Sequence, residues 1–355
     1  MKKVAIIGTV GVPACYGGFE SLVENLLDYT PKDVEYTIFC TSQKYEQKFE
    51  TYKGAKLKYL DLNANGKDSI MYDYKSMKMS LDADIMLILG VSGCMFLPLI
   101  RTKFKGKIIT NIDGLEWKRD KWNFFVKWLL HYSEKMAVKY SDIVIGDNKG
   151  ITDYVKETYK KEAVLIAYGG DHVSKIDDDS LYEKYPFCKN PYSVTVCRIE
   201  PENNIHLILE AFSKMPENHF VMVGNWKNGE YGSELKDKYS KFENIHLLDP
   251  IYESHTINWI RSNASLYIHG HSAGGTNPSL VEAMNLALPI LAYDCVYNRE
   301  TTQDQCLYWK DSNDIIDIFS NKKDSFESIS KNMIEIGSKE YSWKKIAEEY
   351  NTLWR

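Results

Sequence analysis

Short apolar runs recur along the chain, and helical spacing fills the intervals between them. "KKVAIIG" (2–8) is β-branched, apolar and ends in glycine, so it predicts a buried parallel strand. "FESLVENLLDYT" (19–30) follows with the period of a helix. Further strands are expected at 34–40, 84–90, 106–113, 141–147 and 163–170, with helical patterns between several of them. Alternation of this kind predicts a doubly wound α/β domain. The pattern then restarts. Strands are expected at 192–199, 219–225, 244–250, 264–270 and 288–294, and helices at 204–215 and 279–287. The polar stretch 175–191 suits a linker, and 338–355 has the spacing of an amphipathic helix with Tyr341, Trp343, Ile346, Tyr350 and Leu353 on its apolar side.

These elements predict two Rossmann-like α/β domains, residues 1–172 and 173–337, with a final helix at 338–355 packing back on the first. Open α/β sheets bind ligands at the carboxyl ends of their strands. Two such domains therefore predict a two-substrate enzyme with a cleft between them.

The length of 355 residues fits two domains, and the composition is that of a globular protein. A net charge of -5 argues against a general nucleic-acid binder. Eight Trp and 25 Tyr suit carbohydrate or membrane-interface contact, or simply large cores. Seven scattered cysteines, with no CxxC pair, predict neither a disulfide framework nor a zinc site and point to a reducing cytoplasm. The opening "MKKVAIIGTVGVPAC" has the outline of a lipoprotein signal, but its apolar run is too short and holds Gly8. Residues 85–100 lack charge, yet Gly90, Gly93 and Pro98 interrupt them, so a strand, a loop and a short helix are expected rather than a membrane span.

Five stretches carry candidate chemistry. "GTVGVPACYGGFE" (8–20), with Gly17, Gly18, Phe19 and Glu20 at its end, is a glycine-rich loop leading into a helix, whose unpaired N–H groups can meet an anion; its spacing is not that of a dinucleotide fingerprint. "NIDGLEWKRDKW" (111–122) sets Asp113, Glu116 and Trp117 just after a strand, the place for a base toward a sugar hydroxyl, or for an N-cap and a surface charge. Residues 117–141 mix Lys and Arg with Trp and Phe, which suits an anionic membrane surface or a helix with one buried face. In "CRIEPENNIHLILEAF" (197–212), Arg198, beside a helix start, is placed for a diphosphate or for a salt bridge with Glu200 or Glu202. In "IHGHSAGGTNPSLVEAM" (268–284), Gly274, Gly275, Thr276 and Asn277 precede a helix starting at Pro278, with Glu282 one turn in. His269 and His271 lack a third ligand at metal spacing.

Together these motifs resemble the retaining glycosyltransferases of GT-B fold, family 4 of the sequence classification, across nearly the whole chain. The family pattern is an Arg and a Lys for the donor diphosphate, then Glu-x7-Glu. Arg198 matches the Arg and Glu282 the second Glu; Asn203 stands at the Lys and Gly274 at the first Glu. Four of them taken in order, "GTVGVPACYGGFE", "NIDGLEWKRDKW", "RIEPENN" (198–204) and "GHSAGGTNPSLVEAM" (270–284), are similar to one branch, the bacterial rhamnosyltransferases of capsule and cell-wall polysaccharide assembly. That resemblance implies dTDP-L-rhamnose as donor, a lipid-diphosphate-linked sugar as acceptor, and work at the inner face of the cytoplasmic membrane. It implies donor contacts from Arg198, Asn203, Asn225, Ile251, His271, Gly274 to Asn277 and Glu282, and acceptor contacts from the Gly17–Gly18 loop, Asp113, Glu116 and Trp117. Asp113, Arg198 and Glu282 are the expected catalytic set, without a metal or other cofactor. A sugar-nucleotide 2-epimerase and a non-catalytic glycan-binding module are the alternatives.

Overall fold

The computed structural model describes residues 1–355 apart from 16, 119–121 and 228. The chain divides into two compact units. One comprises Met1–Tyr168, Ala273–Gly275 and Trp343–Arg355; the other comprises Gly169–Ser272 and Thr276–Ser342.

The first unit is built on an eight-stranded sheet: β1 Lys2–Ile7, β2 Val34–Thr41, β3 Thr51–Tyr52, β4 Ala55–Leu60, β5 Ile85–Leu89, β6 Lys107–Asn111, β7 Ile143–Gly146 and β8 Val164–Leu165. Their order is β3-β4-β2-β1-β5-β6-β7-β8, and only β3 runs antiparallel to its neighbour. Ile6, Ile7, Ile38, Phe39, Leu87 and Ile88 are fully buried, as expected of central parallel strands covered by helices on both faces. The chain leaves β1 toward β2 on one side and returns to β5 on the other, so the sheet has its switch point between β1 and β5. At the end of β1, Gly8 has φ of 93°, and a Cβ there would stand 2.0 Å from the Leu89 carbonyl oxygen. Only glycine lets the loop leave that switch point.

The second unit holds six parallel strands: β9 Tyr192–Val196, β10 His219–Val223, β11 Ile245–Leu248, β12 Leu266–His269, β13 Ile290–Tyr293 and β14 Leu307–Trp309, in the order β11-β10-β9-β12-β13-β14. Its core packs Ile205, Leu209 and Phe212 of one helix against Phe220, Met222 and Ile268 of the sheet. Here the switch point lies between β9 and β12.

Several expectations change. The strand expected at 163–170 shrinks to Val164–Leu165, because no further strand pairs beyond it. The stretch 175–191 is not a free linker: Tyr182 and Tyr185 pack on Trp259, and Phe187 stacks on His246. Asp178 also pairs with His255 at 2.9 Å, so aromatic and charged residues both tie it down. The final helical pattern breaks at Tyr341–Ser342 into Phe326–Glu340 and Trp343–Leu353. Trp343, Ile346, Tyr350 and Leu353 are buried in the first unit, and the ring of Trp354 donates its N–H to the Tyr36 hydroxyl at 2.9 Å. Lys2 and Lys107, at the starts of β1 and β6, donate to the last carbonyls of this helix and the residues after it. Cations at a helix carboxyl end satisfy its orphan carbonyls and oppose its dipole. The sequence 85–100 forms β5, a loop and the start of a helix at Leu97–Lys103.

Candidate functional site

Two of the five stretches meet at the switch point of the second unit. Arg198 follows β9, and the loop Gly270–Asn277 follows β12. Arg198 is half exposed, with NH1 3.7 Å from Glu200 Oε2. Asn203 is buried. Its amide donates to the Arg198 carbonyl at 2.7 Å, and its Oδ1 accepts from His271 Nδ1 at 2.7 Å. The Ser272 N–H and hydroxyl both donate to the Glu202 carbonyl at 2.9 Å, and Asn298 donates to the His271 carbonyl. The two loops are thus tied by side chains to backbone. Asn203, at the position where the family pattern has Lys, and His271 are bracing groups for Arg198 rather than open ligands.

The helix Pro278–Asn285 begins as the sequence implies, with Pro at its first turn and Asn277 as cap. Its amides are not free, however. Pro278 has none, the Asn277 side chain takes the Ser279 N–H at 3.0 Å, and the Asn277 carbonyl takes those of Leu280 and Val281. An anion there would meet the helix dipole and the preceding loop, not the first-turn donors. Thr276 is buried. The glycines before it lie in the first unit. A Cβ on Gly275 would fall 1.7 Å from Asp147 Oδ1, and one on Gly114 would fall 2.5 Å from the Gly274 Cα. The first Glu of the family pattern is disfavoured at 274 by the backbone itself, since φ there is 117°, a conformation that suits glycine.

Glu282 is buried. Arg261 NH1 stands 2.8 Å from its Oε2, and His172 Nε2 stands 3.3 Å from Oε1. Burial opposes its charge, but Arg261 and His172 outweigh burial and hold the carboxyl below its ordinary range. Neither partner belongs to any motif found in the sequence; an Arg on the preceding helix and a His on the crossover segment carry no local signal. Asn225 is exposed after β10, and Ile251 lines a pocket of about 480 Å³ with Tyr185, Asp249, Tyr252 and Thr256. His269 is buried, and burial drives its imidazole down to about 3, so it is neutral. Among the described residues no three of His, Cys, Asp and Glu stand together as a metal site.

In the first unit, Gly17 and Gly18 open the helix Gly18–Leu27, beside half-buried Phe19. Glu20 turns inward: its Oε1 accepts from the Thr9 hydroxyl at 2.8 Å and the Val10 N–H at 2.6 Å. It braces the loop and is not presented to a ligand, a correction to its expected acceptor role. Asp113 follows β6 in the left-handed region, φ 57°, with its N–H donated to Asn111 Oδ1; the Asn111 amide in turn donates to the Tyr350 hydroxyl. Such strain at a strand end is a mark of functional positions. Glu116 accepts from the Trp122 ring N–H at 3.0 Å. Trp117 stacks on His131 and donates to Glu134, a buried carboxylate that also takes the Tyr154 and Tyr159 hydroxyls.

The helix Phe124–Tyr140 buries Leu130, Glu134, Ala137 and Val138 and leaves Phe124, Phe125, Trp128 and Tyr132 from 42% to 85% exposed. Phe125, Trp128 and Tyr132 stack in series. In the described part of 117–141 one face is buried, and the other is aromatic among lysines.

Residues 179–348 match the family model described as "Glycosyl transferases group 1". This part of the chain is thus similar to the group 1 glycosyltransferases. Residues 1–171 match "Domain of unknown function (DUF1972)". The fold of the chain is GT-B. Sucrose-phosphate synthase from Thermosynechococcus elongatus superposes with a TM-score of 0.82 at 14% identity, covering 100% of this chain and 98% of that one. The Anabaena protein HepE in complex with UDP gives 0.77 at 12% identity, with 99% of each chain covered. The catalytic domain of starch synthase IV from Arabidopsis thaliana, bound to ADP and acarbose, gives 0.72 at 13% identity, covering 99% and 98%. No curated protein matches the chain significantly by sequence.

Proposed function

We propose that the protein is a glycosyltransferase that moves a sugar, with retention, from a nucleotide diphosphate to a lipid-diphosphate-linked saccharide, and that the donor is dTDP-L-rhamnose. The observation that carries the donor side is the meeting of the Arg198 loop and the Glu282 helix at one switch point, where α/β sheets bind ligands. HepE, similar in fold, was obtained with UDP-glucose, so this architecture accepts a nucleotide sugar in at least one relative.

In this reading Arg198 neutralises the diphosphate as the bond from the sugar C1 to the β-phosphate oxygen breaks. The acceptor hydroxyl oxygen bonds to C1 on the same face, and its proton passes to the departing phosphate oxygen. Asp113 orients that hydroxyl. Glu282 binds the sugar ring of the nucleoside. Arg198 does the work of a cation, so no metal is assigned. A chelator such as EDTA is then expected to leave transfer unchanged; loss of transfer restored by Mg²⁺ overturns the metal-free assignment.

The function is tested by supplying dTDP-L-rhamnose with a lipid-diphosphate sugar and following the labelled product. Transfer is expected only with both present; conversion of the nucleotide sugar alone would make the protein an epimerase instead.

The exposed aromatic face of Phe124–Tyr140 suits the surface on which such a lipid acceptor resides. Among the described residues no helix is long and apolar enough to cross a membrane. Replacing Phe125 and Trp128 together by serine is expected to weaken co-sedimentation with anionic phospholipid vesicles at least tenfold, at roughly 1.5–3 kcal/mol per fully buried large apolar side chain. Equal sedimentation of variant and parent would remove the docking role.

A further inference from the structure

Glu282 is held by a residue outside every motif. Arg261 lies on the helix Ser254–Ser262, and its side chain and that of Glu282 are only 13% and 10% exposed. The two oxygens of Glu282 are unequal. Oε2 is shut off from solvent and faces Arg261 NH1 at 2.8 Å, off the line of a hydrogen bond. Arg261 Nε and the Tyr267 hydroxyl are likewise buried without a hydrogen-bond partner. Oε1 lies toward His172, whose side chain is a third exposed. A carboxylate with both oxygens open accepts from two adjacent hydroxyls at once. Here one oxygen is committed inward, to a cation that never loses its charge.

We propose that Arg261 makes Glu282 an acceptor for a single sugar hydroxyl, so that the donor site is indifferent to the nucleoside 2′-hydroxyl and admits 2′-deoxynucleoside diphosphates. This rests on the reading of Glu282 as the nucleoside-sugar ligand. Arg261 is a positioning residue: it acts through Glu282, and its mark is a ratio of affinities rather than a level.

Titration calorimetry with UDP, dUDP, ribothymidine diphosphate and dTDP separates base from sugar. In the parent protein each deoxy form is expected to bind within about threefold of its ribo partner, since a hydrogen bond not made loses nothing. A ribo preference of about tenfold or more, the size of a hydrogen bond to a charged group, overturns the proposal without any variant. Arg261→Gln frees Oε2 and is expected to raise the ribo-over-deoxy ratio about tenfold. Arg261→Lys, keeping the charge, is expected to leave the ratio near that of the parent. An unchanged ratio in a folded Arg261→Gln protein also overturns the proposal. Glu282→Ala is expected to weaken all four ligands together. If it weakens none, the placing of the nucleoside at Glu282 fails instead, which the parent ratios alone do not reveal.

Discussion

Arg198→Ala is expected to lower the transfer rate at least about 100-fold, the scale on which removing one preorganised group facing developing charge acts. The loss falls on kcat, because the diphosphate carries more charge as it departs than it does in the bound donor. The fold should survive. Arg198 is half exposed, and Asn203 holds its loop through the backbone carbonyl of Arg198 rather than through the guanidinium. Product formation measured beside a thermal melt separates the two effects. Near-normal turnover by a folded variant would remove Arg198 from the chemistry.

The second large effect is expected at Asp113. Asp113→Ala should cost on the order of 10²-fold in kcat, the scale on which a misplaced reacting group acts. The backbone complicates alanine there, because φ is 57° and Asn111 accepts the Asp113 N–H. Asparagine tolerates the left-handed region nearly as well as aspartate. Asp113→Asn therefore keeps the turn and removes the charge. If the carboxylate handles the acceptor hydroxyl, both variants lose rate with an unchanged KM for the donor. If only the turn matters, asparagine restores the rate and the role passes to the backbone.

The strands that bury both faces were legible as unbroken apolar runs, and the restart of that rhythm at Tyr192 marked a second sheet. The pair β3 and β4 and the edge strand β14 were not, because "AKLKYL" is only half buried and "LYW" is three residues long. At the site, periodicity and punctuation located the loops, since a strand, a glycine and a proline at a helix start are local signals. What each side chain does there was not local. Glu20 turns inward because the Thr9 and Val10 donors wait for it ten residues back. Asn203 meets His271 across 68 residues, and Glu282 meets Arg261 from another helix. Gly274 looked like a missing carboxylate; it is a position where chain packs on chain.

The helix Trp343–Leu353 has a further bearing on how the protein is made. The seat it fills, with Tyr36 and Asn111 in it, belongs to a sheet whose strands all lie before residue 166. On the ribosome that seat stands open while more than half the chain is still being translated. Domains usually fold from the amino terminus as they emerge. Here the first domain to emerge must wait, with apolar surface uncovered, for a helix read after the second, and a chaperone binding nascent chains would find that patch during the interval.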